Sequence, residues 1–86
     1  MVVDIKKVIP HTDNASKREI WHMMDVLNKQ GQIEPLQVKV YAPAMPGYEE
    51  SYITHERDAW GNVIVLAAQR LNWPTLLILV TERYID

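Results

Sequence analysis

A chain of 86 residues, 48% of them hydrophobic, with a net charge of -2, describes one small domain near the size at which a core becomes self-sufficient. It has no cysteine, which excludes a disulfide framework, a thiolate metal site and a cysteine nucleophile. The slight negative charge gives no general attraction to nucleic acid or to an anionic membrane.

The start, Met1 to Lys7, places an acid and two lysines where a signal peptide needs a continuous apolar stretch. The longest apolar run, Leu76 to Val80, is far too short to span a bilayer. A cytoplasmic protein with no membrane partner is the expectation. Val2 to Ile9 is β-branched and stops at Pro10, which predicts a strand with Lys6 and Lys7 on its exposed side. A polar turn over His11 to Asn14 leads to Ser16-Lys-Arg-Glu19, a capping box. The helix behind it carries Ile20, Met23, Met24 and Leu27 at helical spacing, with Trp21 and Val26 widening the apolar face. Lys29 suits the negative end of that helix, and Gly31 can take the left-handed conformation that ends it.

After Pro35, the residues Leu36, Val38 and Val40 alternate with Gln37, Lys39 and Tyr41, the pattern of a strand with one buried face. Two prolines and Gly47 mark 42–47 as a loop. Tyr48 to Thr54 reads as a returning, paired strand, and His55 to Asp58 as a charged turn. A second helix is expected from Asn62 as N-cap to about Leu71. Its segment Val63 to Ala68 is apolar on all sides, which implies burial on more than one face. Asn72-Trp-Pro74 ends it, Thr75 to Thr81 reads as a central strand, and Glu82 to Asp86 as a polar tail. Residues 1–86 form a single domain, without internal repeat or linker.

Two segments carry a resemblance. One is Met24 to Val40, a helix ending at Gly31 and followed by Pro35, Leu36 and Val38. The other is Gly61-Asn-Val-Ile-Val-Leu-Ala-Ala68 with the closing strand Leu71 to Val80. In this order and spacing they resemble the ParB/sulfiredoxin-like (ParB N-terminal-type) domain. The resemblance covers most of Val2 to Val80 and implies an α+β fold, a small mixed β-sheet with two helices. In nucleotide-using members of that family, arginines just after the glycine grip phosphates with fixed, forked donors. Superposing Ala67 and Ala68 on the family's Ala-Ala pair puts Val63, Ile64 and Leu66 at those positions, so the arginine motif is degenerate. Only Gly61 and Asn62 remain of it, and backbone N–H groups at a helix start offer weak anion binding by themselves. Sulfiredoxin chemistry requires a cysteine that this chain lacks.

Thr54-His-Glu-Arg-Asp58 is the dense cluster of ionisable groups. His55, Glu56 and Asp58 are competent as metal ligands or proton carriers, and they directly precede the family's active turn. The same residues also read as a solvated turn with Arg57 paired to a neighbouring carboxylate, and strand alternation would send His55 and Glu56 to opposite faces. His11 and His22 read as surface or helix-flank residues. Lys6, Lys7, Lys17 and Arg18 could form a basic edge for phosphates, but beside Asp4, Asp13 and Glu19 they also read as an ordinary solvated surface. Trp73 reads as a core plug, and Met23, Met24 and Met45 as gap-filling or loop residues. Trp60, just before the helix, is the best single contact candidate.

The function implied by the resemblance is a non-catalytic ParB-like binding module, of the plasmid or phage type, associated with DNA or a regulatory role. It would act through protein or DNA contacts at Arg57, Trp60, Gly61 and Asn62, without a cofactor. One alternative is a metal-dependent nuclease or nucleotide hydrolase using His55, Glu56 and Asp58, with a divalent metal in that case alone. The other is a homodimer that pairs an exposed strand edge.

Overall fold

The computed structural model describes residues 1–42 and 50–85. The loop predicted over 42–47, with Met45, and the start of the returning strand at 48–49 therefore lie largely outside the described residues. The elements run β1 (Val2–Asp4), a 3₁₀ turn (Ile5–Lys7), β2 (Val8–Ile9), α1 (Lys17–Gln30), β3 (Leu36–Ala42), β4 (Ser51–Thr54), α2 (Ala59–Arg70) and β5 (Thr75–Ile85). They form one mixed sheet in the order β1-β5-β3-β4-β2 with two helices, the α+β fold expected.

The single strand expected over Val2 to Ile9 is broken in two. Asp4 causes the break: its carboxylate accepts from Lys6 N at 2.9 Å and caps one 3₁₀ turn, a local bond that competes with the ladder. The consequence reaches across the fold. β1 lies antiparallel to β5 and β2 parallel to β4, so consecutive residues serve opposite edges of the sheet. Those edges would stand about 19 Å apart in a flat five-stranded sheet, whereas one 3₁₀ turn rises about 6 Å. The sheet must curl to bring its edges together.

β3 buries Leu36, Val38 and Val40 and faces outward with Gln37, as its alternation predicts. β5 runs parallel to β3 with a one-residue bulge that leaves Thr81 unmatched. The polar end of the chain is not a tail: Glu82 to Ile85 stay in register with Lys39 to Ala42. Backbone pairing to the extended β3 suffices there, helped by an Arg83–Glu50 ion pair at 2.9 Å and a stacked Tyr41–Tyr84 pair at 5.2 Å.

α1 keeps its capping box, with Ser16 Oγ accepting from Glu19 N at 3.1 Å and Ser16 N donating to Glu19 Oε1 at 3.3 Å. It ends at Gly31 with φ 70°. Lys29 pairs with Asp25 at 3.1 Å. Ile20 and Leu27 are buried, and Met23 and Met24 pack against the core. Trp21 does not widen that face; it is 61% exposed, because the apolar stripe of α1 is narrower than its composition suggested. α2 packs on α1 and buries Val63, Val65, Ala67 and Ala68. It closes on Asn72, whose φ of 58° is one that asparagine tolerates, and Trp73 packs partly buried against the core. Among the described residues no helix is long and apolar enough to cross a membrane.

Candidate functional site

β4 ends at Thr54, the chain turns through His55 to Arg57, and α2 begins at Ala59 with Asp58 as its N-cap. The helix therefore starts ahead of Asn62, the residue expected to cap it. Asp58 wins because its carboxylate reaches the third helical residue: Oδ1 accepts from Gly61 N at 2.8 Å, the standard N-cap bond, with negative charge at the positive end of the helix. The aspartate lies against Gly61 so closely that a Cβ there would stand 2.4 Å from Asp58 Oδ2 and 2.8 Å from its Cγ. Gly61 is thus required by the chain's own cap. The Asp58 carboxylate thus takes the Gly61 N–H at the positive end of the helix, where anions are favoured.

Asn62 lies inside the helix, 2% exposed. Its Oδ1 accepts from Thr12 N at 3.3 Å, which ties the segment after β2 to α2. Beside it, the fully buried Thr54 hydroxyl accepts from His11 N at 2.9 Å and meets His11 Nδ1 at 2.8 Å. His11, expected as a surface or helix-flank residue, is half-buried and part of this latch. His22 is exposed.

The ionisable residues of the turn go to separate partners. His55 Nε2 is hydrogen-bonded to Thr81 Oγ1, whose hydroxyl donates to Val38 O at 3.3 Å. Glu56 pairs with Lys39 at 3.4 Å, and Asp58 caps the helix. Among the described residues no group of three His, Asp or Glu side chains stands close enough to hold a metal ion. Arg57 is exposed and makes no ion pair among the described residues. Hollows adjoin the turn, one of about 370 Å³ lined by Gln37, His55, Arg57, Asp58 and Thr81, another of about 230 Å³ lined by Lys39, Glu56 and Glu82 among others.

Thr81, Gln37 and Lys39 escaped sequence reading. The β5 bulge aims Thr81 at His55, and bulges commonly re-aim a side chain in this way; the one available signal was the switch from apolar to polar at Thr81. A histidine beside a hydroxyl resembles a base and nucleophile, yet here the hydroxyl donates to a backbone carbonyl, and no third group orients the imidazole among the described hydrogen bonds. Trp60 is 58% exposed on the first turn of α2. Lys6 and Lys7 lie on the 3₁₀ turn and Lys17 and Arg18 at the start of α1, all exposed. Val63 is buried and Ile64 and Leu66 half-buried, so these three residues hold apolar side chains in or beside the core.

No protein-family model and no curated protein sequence matches the chain. Solved structures do. Sulfiredoxin from Arabidopsis thaliana aligns with a TM-score of 0.65 at 20% identity, covering 95% of this chain and 85% of that one. The C-terminally truncated chromosome-partitioning protein ParB from Caulobacter crescentus, complexed with CTP-gamma-S, aligns with a TM-score of 0.67 at 18% identity over 95% of this chain. This chain spans 43% of that ParB chain. With two helices on a curled, five-stranded mixed sheet, the chain has the ParB/sulfiredoxin-like fold.

Proposed function

We propose that this chain is a non-catalytic binding module, in which the ParB/sulfiredoxin-like scaffold serves contacts with a protein partner in place of nucleotide chemistry. The observation that carries this reading is the Asp58 cap: a carboxylate bonded to Gly61 N at 2.8 Å occupies the helix start and repels an incoming phosphate. Around it the side chains that could grip phosphate are replaced by Val63, Ile64 and Leu66, and the metal-competent residues His55, Glu56 and Asp58 are each engaged elsewhere. Exposed Trp60 on the same turn supplies a contact residue of the kind enriched in protein interfaces.

Thermal unfolding with and without magnesium–CTP, magnesium–ATP and duplex DNA tests this reading. A ligand at a hundred times its Kd stabilises by about 2.7 kcal/mol, or roughly 10–20 °C in so small a domain. No shift with either nucleotide at millimolar concentration is expected. A shift of that size with CTP or ATP would sink the reading, and one with DNA would move the partner from protein to nucleic acid.

One observation favours self-association as a second reading. β1 covers the outer edge of β5 only as far as Ile78, through the Met1–Ile78 bonds, and beyond it the strand has no neighbour on that side among the described residues. An open edge is a template for a second strand. Sedimentation velocity across a concentration series would show a dimer, and a monomer throughout would remove this reading.

A further inference from the structure

Two hollows adjoin where the C-terminal half of α1, residues 31–35 and the first turns of α2 meet. The first, about 290 Å³, is walled by Met23, Val26, Ile33 and Ile64 among others. The second, about 400 Å³, is walled by Pro35, Leu36, Trp60 and Ile64 among others. Glu34 and Ile64 line both and form the divide between them. Ile33 is 72% and Trp60 58% exposed. Isolated apolar side chains at a surface need no explanation, but large ones bordering contiguous hollows mark a contact site.

The charge of the rim is one-sided. Glu34 is exposed and has no ion pair among the described residues, Asp58 adds a second carboxylate to the second hollow, and neither hollow is lined by lysine or arginine. Such a rim disfavours nucleic acid and anionic lipid and favours a cation beside an apolar anchor.

We propose that this surface docks a segment of a protein partner that presents two apolar side chains flanking a lysine or arginine. The apolar pair fills the two hollows and the cation pairs with Glu34 at the divide, with Asp58 reinforcing the field. This deepens the binding-module reading and rests on it for the partner being a protein.

The test is selection of random displayed dodecapeptides on the folded chain, with parallel selection on Ile64→Ala. The enriched peptides are expected to carry a basic residue flanked by apolar ones. Synthesised, they should bind the Ile64→Ala variant about tenfold more weakly, the loss of one apolar anchor. Glu34→Lys should weaken them about fivefold, the scale of an exposed ion pair. Ile33→Ser serves as a second variant, since a side chain so exposed contributes little to folding, and circular dichroism confirms that each variant is folded. No enrichment on the wild type, an acidic consensus, or binding indifferent to both Ile64→Ala and Ile33→Ser overturns the proposal. Failure here is separable from failure of the earlier reading: nucleotide stabilisation alongside intact, variant-sensitive peptide binding sinks the latter and leaves the docking surface standing. A flat nucleotide response without peptide binding sinks the docking surface alone.

Discussion

Replacing Gly61 by alanine tests what the glycine is for. The new methyl would stand 2.4 Å from Asp58 Oδ2, 2.8 Å from its Cγ and 3.0 Å from Leu36 Cδ1. The carboxylate must therefore leave its cap, which costs about 1 kcal/mol. Crowding against Leu36 and the displaced aspartate costs about 1–3 kcal/mol more. Alanine's better helix propensity returns about 1 kcal/mol, leaving a net destabilisation of about 1–3 kcal/mol. Asp58→Ala alone loses the cap, about 1 kcal/mol. In the double variant the methyl meets no carboxylate and the cap is already gone. The second substitution should then cost little, and the cycle should show a coupling of about 1–3 kcal/mol. Urea unfolding followed by far-UV circular dichroism and by the fluorescence of the three tryptophans measures all four corners. If Gly61→Ala costs the same in both backgrounds to within about 0.5 kcal/mol, Asp58 does not impose the glycine at the start of α2.

Three further outcomes follow from the geometry. Gln32→Ala should destabilise by about 1–3 kcal/mol, read from the same unfolding curves, because its side chain bonds both Leu77 O at 2.7 Å and Leu77 N at 2.8 Å as a strand residue would. Thr54→Val should cost a similar amount, about 1–3 kcal/mol, and speed hydrogen exchange at the His11 amide, which loses its acceptor. Burial, with a hydrogen bond to Glu50 second, raises the Tyr52 phenol above its ordinary value of 10.0. The unfolded chain therefore ionises first, so the stability tied to this group is whole below about pH 10 and is lost as pH rises through the folded value. Tyr52→Phe should flatten that alkaline loss in unfolding curves taken at successive pH values.

The sequence was most legible where one local rule acted alone. The Ser16–Glu19 box, Gly31 and the alternation of Leu36, Val38 and Val40 each stand where local chemistry placed them. It was least legible where a rule had to be weighed against a partner remote in the chain. The β-branched run Val2 to Ile9 carries a strand pattern, and only the Asp4 cap and the two sheet edges explain its break. The polar end of β5 is held by pairing to β3, which composition does not encode. Asp58 and Asn62 are both good caps, and only the close approach of Asp58 to Gly61 decides between them. The latch of His11, Thr54, Thr12 and Asn62 joins residues 43 and 50 positions apart, a convergence no local spacing announces. The same holds for Thr81, which meets His55 through a bulge defined by β3.

Whether the Asp58 carboxylate keeps phosphate from the start of α2, as proposed, is read most directly from an amide NMR titration of the wild-type chain with magnesium–CTP and magnesium–ATP. No saturable shift is expected at Gly61, Asn62 or residues 55–58 at millimolar nucleotide. Saturable shifts concentrated at those amides would contradict it and show that the helix start still accepts a phosphate.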